Sequence, residues 1–432
     1  MHMPRLIPVL VSLAVSGSAA ASGFQLQNQT GSGNGNAFAG AAATAEDAGT
    51  IIWNPAGMAY LPAGHNISAA GTLLYRDIDF ANKGSTTVSP IAFPLGTTDG
   101  GNAGGLSVIP AGYWSYSLSP SLFVGLGISP TFGNKTEYDF DFVGRNAGFF
   151  AEITQININP SIAFKLNDKV SLGFGLNIAH NETHFKQGLA FTVGGPPLNA
   201  GGTTNHLDVK GDDWAAGWNI GAMFQLSPST RIGMSYRSEL DFDLEGKQKA
   251  TVTSFGSPLL ANQKIKANLK TPASASIAVS QQLNDRWEML GDLGWTDWSV
   301  VDVIQLKTMS GSNLNALSYN FKDTWRIGFG ANYKYSDKVK LRFGVAHDKA
   351  PVKSAADRTM TLPDTDRTWL SIGAKYQLSA KSSVDIGYSH IFFDKDKTAR
   401  LVQFPAGATR QVINGEWNNS VDSLAIQYNQ NF

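Results

Sequence analysis

Val170-Ser171-Leu172-Gly173-Phe174-Gly175-Leu176-Asn177-Ile178-Ala179 changes character at every residue. The even positions are large and apolar, the odd ones small or polar. Side chains of a strand point alternately to its two faces, so a period of two describes one apolar and one polar face. A helix would not hold this phase. The same alternation runs through Trp214, Ala216, Trp218, Ile220, Ala222, Phe224 and Leu226, interleaved with Ala215, Gly217, Asn219, Gly221, Met223 and Gln225.

Working outward from these two runs, the pattern predicts strands near 66–80, 106–118, 121–138, 150–167, 169–185, 212–226, 230–246, 264–283, 286–307, 320–335, 338–348, 366–378, 382–393 and 417–432. Fourteen is an even number, as a single-chain outer-membrane barrel requires. Tight turns such as Ser119-Pro120, Asn167-Asp168 and Ser227-Pro228 alternate with long Gly- and Asn-rich connections such as 186–211 and 394–416. Short periplasmic turns opposite long external loops are the expected asymmetry. A soluble β-sandwich also alternates, but its outer face carries charge. Here the non-apolar positions are largely Gly, Ser, Ala and Asn, which suits a crowded polar lumen. Trp287 and Trp295 share a face eight residues apart, roughly 20 Å along the membrane normal for a strand tilted by ~40°, the separation of two aromatic girdles. Leu424, Ile426, Tyr428, Gln430 and Phe432 alternate to a terminal aromatic, as a closing strand would.

The composition agrees. Charged residues make up 16% of the 432, low for a hydrated surface, and Lys plus Arg equals Asp plus Glu at 34 each. No global field is left to gather nucleic acid. Without cysteine there are no thiolate metal sites, thiol nucleophiles or disulfides. Arg5, an apolar run from Leu6 to Val15, and Ser16-Gly17-Ser18-Ala19-Ala20-Ala21 form a secretory signal, residues 1–21, cleaved after Ala21. That apolar run is about half the ~20 residues a membrane-spanning helix needs. Residues 22–65 break the strand grammar, with Gly31-Ser32-Gly33-Asn34-Gly35-Asn36 and an Ala-rich stretch to Ala48. They cannot bury a core of their own, and a fourteen-stranded barrel encloses more space than side chains fill. The expected architecture is therefore all-β: a 14-stranded antiparallel transmembrane β-barrel, residues 66–432, with an N-terminal hatch, residues 22–65, plugging the lumen. A disordered periplasmic tail is the alternative for the latter.

Ser22-Gly23-Phe24-Gln25-Leu26, Glu46-Asp47-Ala48-Gly49 and Asn54-Pro55-Ala56 resemble the hatch of the FadL/TodX family of outer-membrane transporters for long-chain fatty acids and aromatic hydrocarbons. The resemblance continues in order through Tyr236-Arg237-Ser238-Glu239, Trp295-Thr296-Asp297-Trp298-Ser299, Phe321-Lys322-Asp323 and Asp364 to Leu370. It implies capture of ligand in an external apolar groove, passage to a luminal pocket near the mature N-terminus, and sideways exit through a kink in the third strand. Phe24 corresponds to the family's pocket-lining aromatic, and Asn54-Pro55-Ala56 to a hatch motif lying near the kink. In the fatty-acid branch, basic residues hold the carboxylate at places matched here by Leu317 and by His184 or Gln187, which leaves the head-group site open.

The third strand supports the kink on its own terms. Pro130 interrupts Leu122, Val124, Leu126 and Ile128, and proline cannot donate to a ladder. A turn centred on Ser119-Pro120 pairs position i with 239 minus i, setting Pro110 opposite Ser129, beside Pro130. With Gly127 removing bulk there, these residues mark a gap in the wall; an ordinary bulge is the alternative. Arg231, Arg237, Glu239, Asp241, Asp243, Arg326, Lys334, Arg342 and Lys375 occupy the inward phase, and Arg326 is the first choice to meet a carboxylate. Other functions find little support. Ser389 and His390 are strand neighbours pointing to opposite faces; His180 and His184 lie ~13 Å apart along a strand, too far to share a metal; and no strand precedes Gly31-Ser32-Gly33 to make a nucleotide loop. The reading is passive uptake of hydrophobic compounds, long-chain fatty acids first, by a monomer in outer-membrane lipid, without cofactor or nucleic acid. An aromatic-hydrocarbon channel and a general diffusion porin are the alternatives.

Overall fold

Along Val170–Gly188 the large apolar side chains are the exposed ones. Leu172, Phe174, Leu176 and Ile178 are 40–48% exposed, while Ser171, Asn177 and Ala179 are buried. A wall that hides its serines and shows its leucines is solvated by lipid outside and by protein inside. In this computed structural model residues 23–88, 95–189, 205–251, 262–403 and 410–432 are described. The signal segment 1–21 lies outside them, as do residues 190–204 of the long connection.

Fourteen antiparallel staves close the wall. They are β1 His65–Asn82, β2 Gly105–Ser119, β3 Leu122–Glu137, β4 Phe150–Asn167, β5 Val170–Gly188, β6 His206–Ser227, β7 Thr230–Arg237 with Leu240–Thr251, β8 Gln263–Thr271 with Ser274–Gln282, β9 Trp287–Thr296 with Val303–Thr308, β10 Asn313–Ser318 with Thr324–Lys334, β11 Val339–Asp348, β12 Arg367–Ser379, β13 Ser382–Phe393 and β14 Arg410–Asn431. β14 returns to β1, from Asn66 opposite Asn431 to Asn82 opposite Gly415, so no edge remains there. Short segments Thr86–Val88 and Asp396–Gln403 extend the pairing along β14 above the membrane. Outside, Trp287 lies against Tyr333 near one rim, ring centroids 4.7 Å apart, and Trp295 faces Trp325 near the other.

Four adjacent staves, β7 to β10, are interrupted towards their extracellular ends, at 238–239, 272–273, 297–302 and 319–323. Pro272 accounts for one of these breaks, having no N–H for a ladder. The breaks in β7, β8 and β10 shift the phase of the alternation, while that in β9 preserves it, Met289 and Leu293 below and Val303 above all being exposed. Below the break on β7 the even residue Met234 faces lipid; above it the even residues Leu240, Phe242 and Leu244 are buried. Asp241 and Asp243 therefore face outward, against the expectation that they share the inward phase of Arg237. The consequence is functional: apolar residues that would have met lipid line the upper lumen instead, and charge covers the outside where the wall rises into water.

Residues 23–64 fill the interior as short helical turns, Gly31–Asn34, Ala41–Thr44, Thr50–Trp53 and the 3-10 turn Pro55–Tyr60. Asn28, Asn34, Ala37, Ala43, Ile51, Asn54, Ala56 and Met58 are fully buried. This segment is a hatch, and polar clamps hold it. Glu46 and Asp385 flank the Arg342 guanidinium at 2.8 and 2.7 Å. Burial pushes Glu46 up, but Arg342 and Lys340 outweigh it and hold the carboxyl well below its ordinary value.

Candidate functional site

The β2–β3 ladder stops at Gly112 opposite Ile128. Both strands then reach a proline two residues further on, Pro110 and Pro130, and neither can donate an N–H. The register is one residue off the expected one. Position i pairs with 240 minus i because the turn falls at Pro120-Ser121, with Ser119 opposite Leu122, and a bulge at Ser117–Ser119 takes back one of the two residues that this shift adds. Pro110 is thus level with Pro130 rather than with Ser129. β2 remains paired to β1, with Pro110 opposite Gly71. β3 remains paired to β4 through a second bulge between Pro130 and Phe132. From Ser129 to Asn134 every residue of β3 is buried, so the strand has left the barrel surface and bent inward.

The edge that β3 loses to the break is taken by the start of the hatch. Leu26 N donates to Thr131 O at 2.9 Å, Gly133 N donates to Phe24 O at 2.8 Å, and Gln25 bridges Phe132 antiparallel. A short extended segment has added itself to an open strand edge. Below it, Ser129 Oγ donates to Gln29 Oε1 at 2.9 Å and Tyr113 Oη to Gln29 O at 3.2 Å. Gly127 lies opposite Tyr113, with Ile51 of the hatch beside it.

Phe24 is 2% exposed. Its ring meets Phe132 edge to face at 5.7 Å and Trp298 at 4.9 Å, and Trp298 meets Phe321 at 5.9 Å. Trp298 reaches the lumen because the break in β9 coils into a 3-10 turn. Gly23 has φ +63°, and a Cβ there would overlap the Trp298 ring at 2.5 Å, so only glycine fits. Gly23 N donates to Asp364 Oδ2 at 2.7 Å, and Arg367 holds the other carboxylate oxygen. Burial pushes Asp364 up to about 6, against the pull of Arg367 and the Gly23 N–H. Phe132, Trp298, Phe321 and Asp364 were not singled out as site residues from sequence; all but Phe132 stand in the family strings, but nothing local announced an aromatic cage.

This cage separates two cavities. Above it, a groove is lined by Ile153, Phe185, Leu244, Leu269, Leu317 and Tyr319, with His184 at its side. Leu317 lines this groove, whereas the His184 ring belongs to the outward phase of β5, shared with Lys186, and is engaged by Asp208 at 3.0 Å. Below the cage, a cavity is lined by Gln25, Leu26, Phe38, Phe132, Arg237 and Arg326 among others. It adjoins the broken ladder through Gln29 and Thr131.

Arg326 points inward as expected, but its charge is already matched. Asp292 lies at 2.9 Å, Asp348 at 3.4 Å, and the Ala37 carbonyl of the hatch accepts a further hydrogen bond. A guanidinium between two carboxylates offers little to a third.

Asn54-Pro55-Ala56 seats against β5 and β6 rather than against the kinked stretch of β3. Asn54 Nδ2 donates to Ala42 O at 2.8 Å and Ala222 O at 3.1 Å, its Oδ1 accepts from Ala56 N, and Ser171 Oγ donates to Ala56 O at 3.0 Å. A Cβ at Gly173 would lie 2.2 Å from Ala56 N, and one at Gly221 2.0 Å from Asn54 Oδ1, so two barrel glycines form the seat. It is Ile51 and Met58, either side of the motif, that touch β3 at Gly125.

Residues 12–432 match the model of the outer membrane protein transport family described as OMPP1/FadL/TodX. A putative outer membrane protein of Neisseria meningitidis is 29% identical over 90% of each chain. The long-chain fatty acid transport protein of Escherichia coli is 27% identical over 81% of this chain and 83% of its own. Among solved structures, a Pseudomonas aeruginosa FadL homologue superposes with a TM-score of 0.85 at 24% identity, covering 95% of this chain and all of that one. The Pseudomonas putida toluene transporter TodX superposes with 0.65 at 16%, covering 95% and 100%. With a closed fourteen-stave barrel, a hatch inside it and a family match over nearly its whole length, the chain belongs to the FadL/TodX family of outer-membrane transport channels for hydrophobic compounds.

Proposed function

We propose that this protein takes up long-chain fatty acids and similarly elongated apolar molecules by passive diffusion, with exit into the bilayer through the break between β2 and β3. The observation that carries the reading is the double role of Phe24–Leu26. One short segment both fills the aromatic cage between the two cavities and occupies the β3 edge at the wall break. Displacing it would join groove to cavity and free the exit at once. A ligand entering the apolar groove gains from burial of its chain, and binding that favours the displaced hatch shifts the population towards it. No cofactor or energy source is required by such a scheme. The names of the 27% identical relatives favour fatty acids. One observation favours uncharged ligands instead: Arg326, the basic residue chosen for a carboxylate, is already neutralised.

The chain has no cysteine, so Ala111→Cys with Ser129→Cys gives a clean pair across the break. Bridging them with a short bifunctional thiol reagent should reduce oleate uptake in cells towards the level without the protein, while oleate binding to the purified barrel persists. Undiminished uptake by the bridged protein would rule out exit at this place. Oleate and toluene offered in competition to the unbridged protein decide the substrate class.

A further inference from the structure

The outward face of β5 to β9, above the membrane, places lysines side by side. Lys210 lies opposite Lys247, and Lys247 opposite Lys264, one row across three staves. The row above it carries Lys186, Asp208 and Lys249; the row below carries Glu182, Asp212, Glu245, Lys266 and Lys307. Seven lysines thus stand against four carboxylates. Like charges directly opposite on adjacent strands destabilise a sheet, so the arrangement calls for an anion outside the fold.

The internal compensation is partial. Lys210 pairs with Glu182 at 2.5 Å and Lys186 reaches Asp208 at 4.0 Å, while His184 and His180 engage Asp208 and Asp212. Glu245 faces Lys266 across the ladder without closing to an ion pair. Among the described residues, Lys247, Lys249, Lys264, Lys266 and Lys307 have no carboxylate within 4.0 Å. The segments outside the described residues contain no Asp or Glu at all.

The height of the patch says what the anion is attached to. Trp214, 57% exposed, belongs to the outer aromatic belt. Lys210 is four residues further up the same strand, ~13 Å along it and so roughly 10 Å along the normal at a tilt of ~40°. That is the layer of lipid head groups. A concavity lies there, lined by Lys210, Lys247 and Lys249 together with His184, Asp208 and Asp212. Further down, on the lipid-facing wall of the same sector, an apolar groove runs between Ile220, Met234, Ile277, Leu293 and Trp325. Cationic seat and apolar groove stand on the same staves, β5 to β7.

We propose that this sector of the wall binds a phosphorylated, multiply acylated lipid of the outer leaflet, its phosphates against Lys210, Lys247 and Lys264 and a chain in the groove beneath. Compact ammonium groups suit phosphate oxygens approached from several directions. The lysines stand on the outer face of the wall, so the role of the patch is to fix the barrel among its lipids.

Native mass spectrometry of the detergent-purified barrel tests this with three probes: bisphosphorylated lipid A, its dephosphorylated form, and inorganic phosphate as competitor. The wild-type protein should retain the bisphosphorylated lipid at least tenfold better than the dephosphorylated one, and millimolar phosphate should not displace it. Lys247→Gln/Lys249→Gln/Lys264→Gln should lose that preference, and the corresponding Arg triple should keep it, with heat-modifiable electrophoretic mobility confirming folded barrels. Equal retention of both lipids, full retention by the Gln triple, or displacement by free phosphate would each overturn the proposal. Oleate binding should be the same in the Gln triple and the wild type, which keeps this test separate from that of transport.

Discussion

Phe24→Ala should release the start of the hatch while leaving the barrel intact. The ring is 2% exposed and packs edge to face on Phe132 and Trp298. Truncating a buried Phe costs about 3–5 kcal/mol, of which two aromatic contacts contribute ~0.5–1.5 kcal/mol each. What remains to hold the segment is two backbone hydrogen bonds to β3 and the Gly23 N–H on Asp364, worth about 0.5–1.5 kcal/mol apiece and somewhat more for the charged one. Loss and remaining support are of the same order, so docking becomes marginal. A loss of ~3 kcal/mol raises the undocked population by roughly two powers of ten. No residue of the ladder is altered, so the barrel itself should melt as before. Hydrogen exchange of the detergent-solubilised protein reads the effect from both sides, because Leu26 N donates into β3 and Gly133 N donates out of it. Both amides should exchange about a hundredfold faster in the variant, with β5 unchanged. If Leu26 and Gly133 keep their protection, the aromatic cage is not what holds the hatch terminus, and the coupling of cage to exit fails with it.

The other expectations concern the seat, the clamp and the lock. Gly221→Ala should drive Asn54 off its bonds to Ala42 and Ala222, at a cost of about 1–3 kcal/mol for the overlap, and expose residues 50–60 to exchange; Gly71→Ala, where nothing lies within 4 Å of a new Cβ, should do neither. Arg326→Ala leaves Asp292 and Asp348 buried and uncompensated, costing roughly 3–5 kcal/mol; lower thermal stability with unaltered oleate affinity is expected, and the reverse would make Arg326 a head-group residue after all. Asp364 sits at about 6 against an ordinary 3.8. Because burial raises its value in the folded state, its contribution to folding is complete below the ordinary value and is lost as pH rises through about 6. Thermal stability of the folded protein should therefore be greater at pH 5 than at pH 7.5, and Asp364→Asn should flatten that dependence.

The fourteen staves were legible because lipid enforces the alternation that reports them. Within the bilayer an outward residue must be apolar, so Leu172 to Ile178 announce their strand unaided. Above the bilayer that constraint lapses. The ends of β6 and β14, which begin at His206 and Arg410 rather than near 212 and 417, carry outward charge and escaped notice. The breaks at 238–239 and 272–273 were hidden for a related reason. Each side of a break alternates correctly, and only the change of phase between Met234 and Phe242 betrays that the strand has turned over. Asp241 and Asp243 were assigned to the wrong face by carrying one phase across that break.

The site was legible in proportion to how much of it is local. Two prolines level with one another carry a shared defect in their own chemistry, so the break between β2 and β3 could be placed to within one residue. The error came from a turn one residue later than expected, at Pro120-Ser121, a shift that the bulge at Ser117–Ser119 takes back by half. The aromatic cage, by contrast, gathers Phe24, Phe132, Trp298 and Phe321 from the hatch and three separate staves, and closure of the barrel alone brings them together. Arg326 shows the same limit from the other direction. Its inward phase follows from the pattern, but its neutralisation by Asp292 on one neighbouring stave and Asp348 on the other depends on register. An inward arginine in a sealed barrel is more often committed to the wall than available to a ligand, because the lumen gives a bare charge nowhere to hydrate. The groove that receives the ligand therefore owes its character to the phase breaks. They turn Leu240, Phe242 and Leu244 inward at the height where the outer wall no longer needs apolar residues.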